Sequence, residues 1–105
     1  MIKPYAIYIA YVSWGQYGKR RPVLVFSSND KEVAVFKITS KFENKSAAVR
    51  AKYVEIVDWA QAGLLIKSYI DISKIIDLPL KTLQPAPIGK LTESDLEKLL
   101  RAMNE

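Results

Sequence analysis

Neither cysteine nor histidine occurs in this 105-residue chain, and the two absences exclude most familiar catalytic and metal-binding chemistries. Without cysteine there is no disulfide framework, and no thiolate to hold a metal or attack a substrate. That composition fits a reducing cytoplasm, the expected location. Without histidine, the side chain that titrates nearest neutrality is missing, so proton transfer at pH 7 falls to other groups. Zinc loses its usual ligands; only a hard cation on carboxylates remains open, and no metal site or cofactor is expected. Long apolar runs are missing too. None approaches the roughly 20 residues that span a bilayer, so no membrane partner is expected. The run at residues 5–12 is short and no small-residue cleavage site follows it, so no signal peptide is expected either. There are no internal repeats and no low-complexity tract.

What is present describes one globular domain, residues 1–105, with 50% apolar and 26% charged residues. The net charge of +5 is unevenly spread. Residues 1–52 carry ten Lys/Arg against three Asp/Glu, whereas residues 53–105 carry six against eight. A basic half of this kind attracts a polyanion, either nucleic acid or an acidic protein.

The chain is organised around Gly18-Lys19-Arg20-Arg21-Pro22-Val23-Leu24-Val25-Phe26-Ser27. Proline lacks an amide donor and fixes an extended φ, which suits a strand's first residue, and it biases Arg21 toward extended geometry. The basic triplet is then held at the mouth of a buried strand. It is either a set of cations aimed at phosphate or a solvated strand end, and charge runs more commonly face water.

Further strands are expected at residues 5–12, 33–39 and 53–57, with one or two more at 68–72 and 75–77. Residues 28–32 read as a hairpin turn, 40–51 as a mobile polar excursion, and 58–63 as a short helical turn closed by Gly63. Pro85 and Pro87 mark a linker. The last element is a helix with Thr92 as N-cap, Glu93 and Asp95 in its first turn, and Leu91 stapled against Leu96. Leu96, Leu99, Leu100 and Met103 form its apolar face, which should dock on the sheet. Five or six short strands and one helix predict a mainly β fold, a strongly curved sheet or partly open barrel.

Four segments in order resemble the MazF/PemK (Kid) family of toxins from bacterial type II toxin–antitoxin pairs. Lys19-Arg20-Arg21-Pro22-Val23-Leu24-Val25 matches the family's basic-Arg-Pro-apolar strand. Val35-Phe36-Lys37-Ile38-Thr39-Ser40 matches its strand ending in Ile-Thr. Gly63-Leu64 followed by Ser68 matches a third segment, and residues 68–83 with Ile88-Gly89-Lys90-Leu91-Thr92 match the run into the last helix. Lys3-Pro4-Tyr5 stands where the family has an early Gly-Asp pair, and the loop before the basic run is shorter than is common.

The resemblance implies a small SH3-like, CcdB/MazF-like partly open barrel, usually a homodimer, that cleaves single-stranded RNA without a metal. It also implies an antitoxin whose tail lies in the RNA groove; the basic first half predicts that this tail is acidic. Carried over residue by residue, the family's motif arginine falls on Arg21, its threonine on Thr39, and the catalytic aspartate of the Kid branch on Asp71. Arg21 suits charge stabilisation at phosphorus, Thr39 a hydrogen bond to a phosphate oxygen, and Asp71 the base for the 2′-OH. Each has a plainer role as well: capping or pairing for Arg21, a strand end for Thr39, a structural ion pair for Asp71. Trp14, Tyr17 and Tyr11 are candidates for base stacking. Lys19, Arg20, Lys37 and Lys41 would attract phosphates, and Ser40 and Ser68 complete the RNA-binding set. The alternative is a non-catalytic member of the fold that binds RNA or an antitoxin, or that poisons gyrase. Against the gyrase form, the chain ends Arg101-Ala102-Met103-Asn104-Glu105, without the C-terminal tryptophan tail of CcdB-like toxins.

Overall fold

The first three strands are apolar at consecutive positions because each is buried on both faces. In the computed structural model, which describes residues 2–104 and only the backbone of Trp14, β1 (Ala6–Trp14) sends Ile7 into one core and Tyr8 and Ala10 into another. β2 (Tyr17–Ser28) divides Leu24 from Val23 and Val25, and β3 (Glu32–Thr39) divides Phe36 and Ile38 from Val33 and Val35. Strands with a period of two and a core on each side read as unbroken hydrophobic runs.

A short helix α1 (Ala47–Arg50), β4 (Tyr53–Ile56), β5 (Ser68–Pro79), β6 (Gly89–Lys90) and a last helix α2 (Glu93–Met103) follow. The six strands form one antiparallel sheet in the order β4-β5-β3-β2-β1-β6. The sheet curls into a half-barrel with the helix α2 against it, as the sequence predicts.

β5 is one strand where the sequence suggests one or two. Its register against β3 steps from Lys37–Asp71 to Val35–Ile76, so three extra residues of β5 are accommodated between the two pairs. A bulge of this kind bends a strand and increases its twist. It carries Ile76 and Leu78 over to close the second core with Leu80 and Leu83. The expected mobile excursion at residues 40–51 contains α1, capped by the Ser46 hydroxyl, which accepts from the Val49 amide at 3.3 Å. The hairpin between β2 and β3 is as expected, with Asn29 Oδ1 accepting from the amides of Lys31 and Glu32, each at 2.8 Å.

Residues 58–64 are a run of hydrogen-bonded turns, and Gly63 closes it at φ 90°. A Cβ on Gly63 would run into the carbonyl of Ile88, and one on Gly89 into the carbonyl of Ala62. The two glycines therefore let the turn and β6 touch backbone to backbone, sealing that side of the half-barrel. Gly63→Ala is expected to destabilise the fold by at least about 1–3 kcal/mol from backbone strain alone, read as a lower urea midpoint with unchanged slope.

Thr92 caps α2 as expected. Leu91, Leu96, Leu99 and Met103 pack on the core, but Leu100 is 38% exposed and Ala102 packs in its stead. The seam is rotated because Asp95, only 1% exposed, is drawn inward to accept from the amides of Val57 (3.1 Å) and Asp58 (2.8 Å). No helix among the described residues is long and apolar enough to cross a membrane.

Candidate active site

The ladder between β2 and β3 ends at Val23–Lys37, while β2 continues against β1 as far as Trp14–Tyr17. Pro22 is therefore inside β2, not at its start, and pairs with Ile9. Its missing amide falls where β3 has already left, which is why a mid-strand proline is tolerated. The basic triplet is likewise inside a two-stranded ribbon, closed by a tight turn in which Gly15 takes φ 58°. The sequence expectation started the strand too late, because the apolar signal begins only at Val23.

This correction fixes which way each cation points. Side chains alternate along a strand, and directly paired residues share a face. Arg20 pairs with Tyr11 and Arg21 with Ala10, so the two arginines leave opposite faces of the ribbon. Arg21 lies two residues before Val23 and Thr39 two after Lys37, so each keeps the face of that last pair. On β5, Tyr69 pairs with Thr39 and Asp71 with Lys37. Arg21, Thr39, Lys37 and Asp71 thus share one face.

A cavity of about 620 Å³ opens where β2 and β3 part. Lys19, Arg20, Arg21 and Pro22 line one side, Thr39, Ser40 and Lys41 another, and residues 63–66 with Ser68 the facing wall. That wall is apolar, with Leu65 96% exposed, and Ser68 is buried, donating to the Ile66 carbonyl at 2.7 Å. Thr39 Oγ1 accepts from the Lys41 amide at 3.1 Å. With that acceptor position taken, the hydroxyl proton is left to donate to a ligand.

Seven of the sequence candidates therefore line the cavity: Lys19, Arg20, Arg21, Thr39, Ser40, Lys41 and Ser68. Lys37 and Asp71 lie one pair beyond it on the same face, outside the lining. Asp71 Oδ1 accepts from the Ser73 amide at 3.0 Å and the Ser73 hydroxyl at 2.6 Å. Tyr17 is at the ribbon's tip, 64% exposed and away from the cavity. The side chain of Trp14 lies outside the described residues.

One device was not foreseen. Phe42 stacks on Tyr69 with centroids 4.2 Å apart and planes 9° from parallel; Arg50 lies over Phe42 and Lys67 over Tyr69. This pile of cation, ring, ring and cation pins the chain immediately after Lys41 to the strand partner of Thr39. Its one trace in the sequence is an aromatic within a polar stretch. The Lys67 ammonium is pushed above its usual pKa, first by a hydrogen bond with Tyr69 and then by Glu55, which holds it charged. The Tyr53 hydroxyl is pushed up by burial and secondly by the charge of Asp71, so it stays a neutral donor.

A family model described as "PemK-like, MazF-like toxin of type II toxin-antitoxin system" matches residues 3–105. Among solved structures, the chain is similar to the Mycobacterium tuberculosis toxin MazF-mt6, with 25% identity, a TM-score of 0.73, and coverage of 94% of this chain and 92% of that one. It is also similar in fold to an endoribonuclease in complex with its cognate antitoxin from a mycobacterial species, with 16% identity, a TM-score of 0.70, and coverage of 98% and 91%. No curated protein matches.

Proposed function

The chain belongs to the PemK-like, MazF-like toxins of type II toxin–antitoxin systems, and on that premise we propose that it is a sequence-selective endoribonuclease that cleaves single-stranded RNA, mRNA above all, without a metal. The observation that carries the reading is that Arg21 and Thr39, on the same face where β2 and β3 part, line one cavity with a cationic side. The donor set favours metal-free chemistry. The chain has no cysteine or histidine to hold a zinc ion.

In the proposed reaction the ribose 2′-OH gives up its proton and attacks phosphorus. The new O2′–P bond forms as the P–O5′ bond breaks, leaving a 2′,3′-cyclic phosphate and a 5′-OH that has taken up a proton. Arg21, permanently charged and with a planar fork, holds the phosphate oxygens as negative charge builds on them. Thr39 donates its free hydroxyl proton to one of those oxygens. Asp71, the carboxylate on the same face, takes the 2′-OH proton. Lys19 and Lys41 at the cavity, and Lys37 beside it, attract the backbone in a salt-dependent way. Ser40 offers a hydrogen bond to the strand, whereas the buried Ser68 spends its proton on the Ile66 carbonyl. The protein works as a homodimer in the cytoplasm and is neutralised by an antitoxin whose acidic tail competes for the same cations.

The reading is tested by incubating the purified protein with a mixed RNA pool in EDTA and sequencing the ends. It predicts 5′-OH ends confined to a few sequence contexts; an intact pool overturns it. The stack behind Thr39 gives a further expectation. Phe42→Ala is expected to lower single-turnover cleavage roughly 10- to 100-fold by letting Thr39 and Lys41 shift, and Phe42→Tyr should retain the wild-type rate. In a Thr39→Ala background, Phe42→Ala should cost little more, because the two act on one contact.

A further inference from the structure

A second cavity, of about 340 Å³, adjoins the first, and the two share Ile9 and Arg20. Tyr11 stands at its edge. The Tyr11 ring lies across Gly18, since a Cβ at that glycine would collide with ring atoms and the hydroxyl. Yet the side chain remains 51% exposed. An aromatic ring backed on one side by a strand and open on the other is a stacking platform, already ordered and still unoccupied by protein.

The surroundings are cationic and firmly built. Arg20 is the cross-strand partner of Tyr11, so its guanidinium leaves the ribbon on the same face, beside the ring. Lys81, in the 3₁₀ turn Leu80–Thr82, lines the opposite side. The segment that follows is tied to β1 through the Gln84 amide, which donates to the Ile9 carbonyl at 2.9 Å, and through an Ala10–Leu83 bridge. Among the described residues, no ion pair holds Arg20 or Lys81.

We propose that this second cavity is a nucleotide subsite, in which a base of the RNA next to the cleaved position stacks on the open face of Tyr11 and its phosphate lies between Arg20 and Lys81. The proposal rests on the endoribonuclease reading and deepens it, giving the RNA a path over Arg20 from one cavity to the other. An acidic peptide would satisfy the two cations but leave the ring without a use, so a nucleotide fits the whole set better.

The test uses an RNA sequence cut by the protein, with a 2′-deoxyribose at the scissile nucleotide so that it binds without being cleaved. Versions with one abasic residue at each position in turn are titrated by fluorescence anisotropy. In the wild type, one position near the cut should weaken binding roughly 5- to 100-fold when its base is removed. With Tyr11→Ala that same abasic residue should have almost no further effect, whereas Tyr11→Trp should keep wild-type affinity. Lys81→Ala should lower the salt slope of binding by about 1. Tyr11→Ala binding the intact strand as tightly as wild type overturns the subsite alone, as do losses that add instead of overlapping. A wild type that neither cuts nor binds any single strand overturns the endoribonuclease reading and the subsite with it.

Discussion

Arg21→Ala is expected to slow RNA cleavage by roughly 10²- to 10³-fold, the usual effect of removing one preorganised donor from a developing oxyanion. The loss should appear in the single-turnover rate more than in binding, because the guanidinium matters most as charge accumulates on the phosphate. Arg21 pairs with Ala10 through the backbone, and far-ultraviolet circular dichroism checks that the variant keeps its fold. Arg21→Lys keeps a charge but loses the fork, and should recover only part of the rate. Lys19→Ala is the contrast. It removes one of several cations at the cavity, so its effect should be a few-fold and should fade as salt is raised. If Arg21→Ala and Lys19→Ala behaved alike, the special place given to Arg21 would be wrong.

The largest expected effect on stability is at Asp95. Its carboxylate accepts from two backbone amides, those of Val57 and Asp58, and it stands in the first turn of α2, where a negative charge is favoured. Thr92 ties the same junction by donating to Asp58 Oδ2 at 2.7 Å while capping the helix. Asp95→Ala leaves two part-buried amides without this acceptor, at about 1–3 kcal/mol each. A total near 3–4 kcal/mol is a large share of the roughly 5–15 kcal/mol that holds a domain together. Asp95→Asn keeps one acceptor oxygen and should cost about half as much. Urea unfolding measures both, and a change below about 1 kcal/mol for the alanine variant would show that water replaces the carboxylate.

Much of this architecture is legible in the sequence. The strands of the half-barrel, the Asn29 turn and the Thr92 cap follow from local patterns whose physics is short-range. So does the contrast between a basic first half and a slightly acidic second. What is not legible depends on pairing between distant strands. Pro22 looked like a strand's beginning because the apolar signal begins after it, yet β1 supplies a partner for the five residues before it. Leu100 looked like part of the helix's buried face because periodicity alone cannot know that Val57 and Asp58 pull Asp95 inward. Residues 73–74 left open whether 68–77 makes one strand or two, because a bulge has no composition of its own.

The candidate site divides in the same way. The residue types were legible, since Arg21 before Pro22 and Thr39 at a strand end carry the resemblance. That the two line one cavity shows only in the folded chain. The β1–β2 register separated Arg20 from Arg21, two neighbours that look interchangeable in the sequence and leave opposite faces of the ribbon. Phe42 and Tyr69 lie 27 positions apart in sequence, and nothing in either segment announces that they stack.

The central claim, metal-free RNA cleavage through the ribose 2′-OH, is tested most directly by one paired reaction in EDTA. The protein is mixed with an RNA it cuts and, separately, with the same strand carrying a single 2′-deoxyribose at the cut nucleotide. The account predicts that the first is cleaved to a 2′,3′-cyclic phosphate and a 5′-OH end, while the second stays whole at that bond. Cleavage of both strands alike, or of neither until a divalent ion is added, would contradict it.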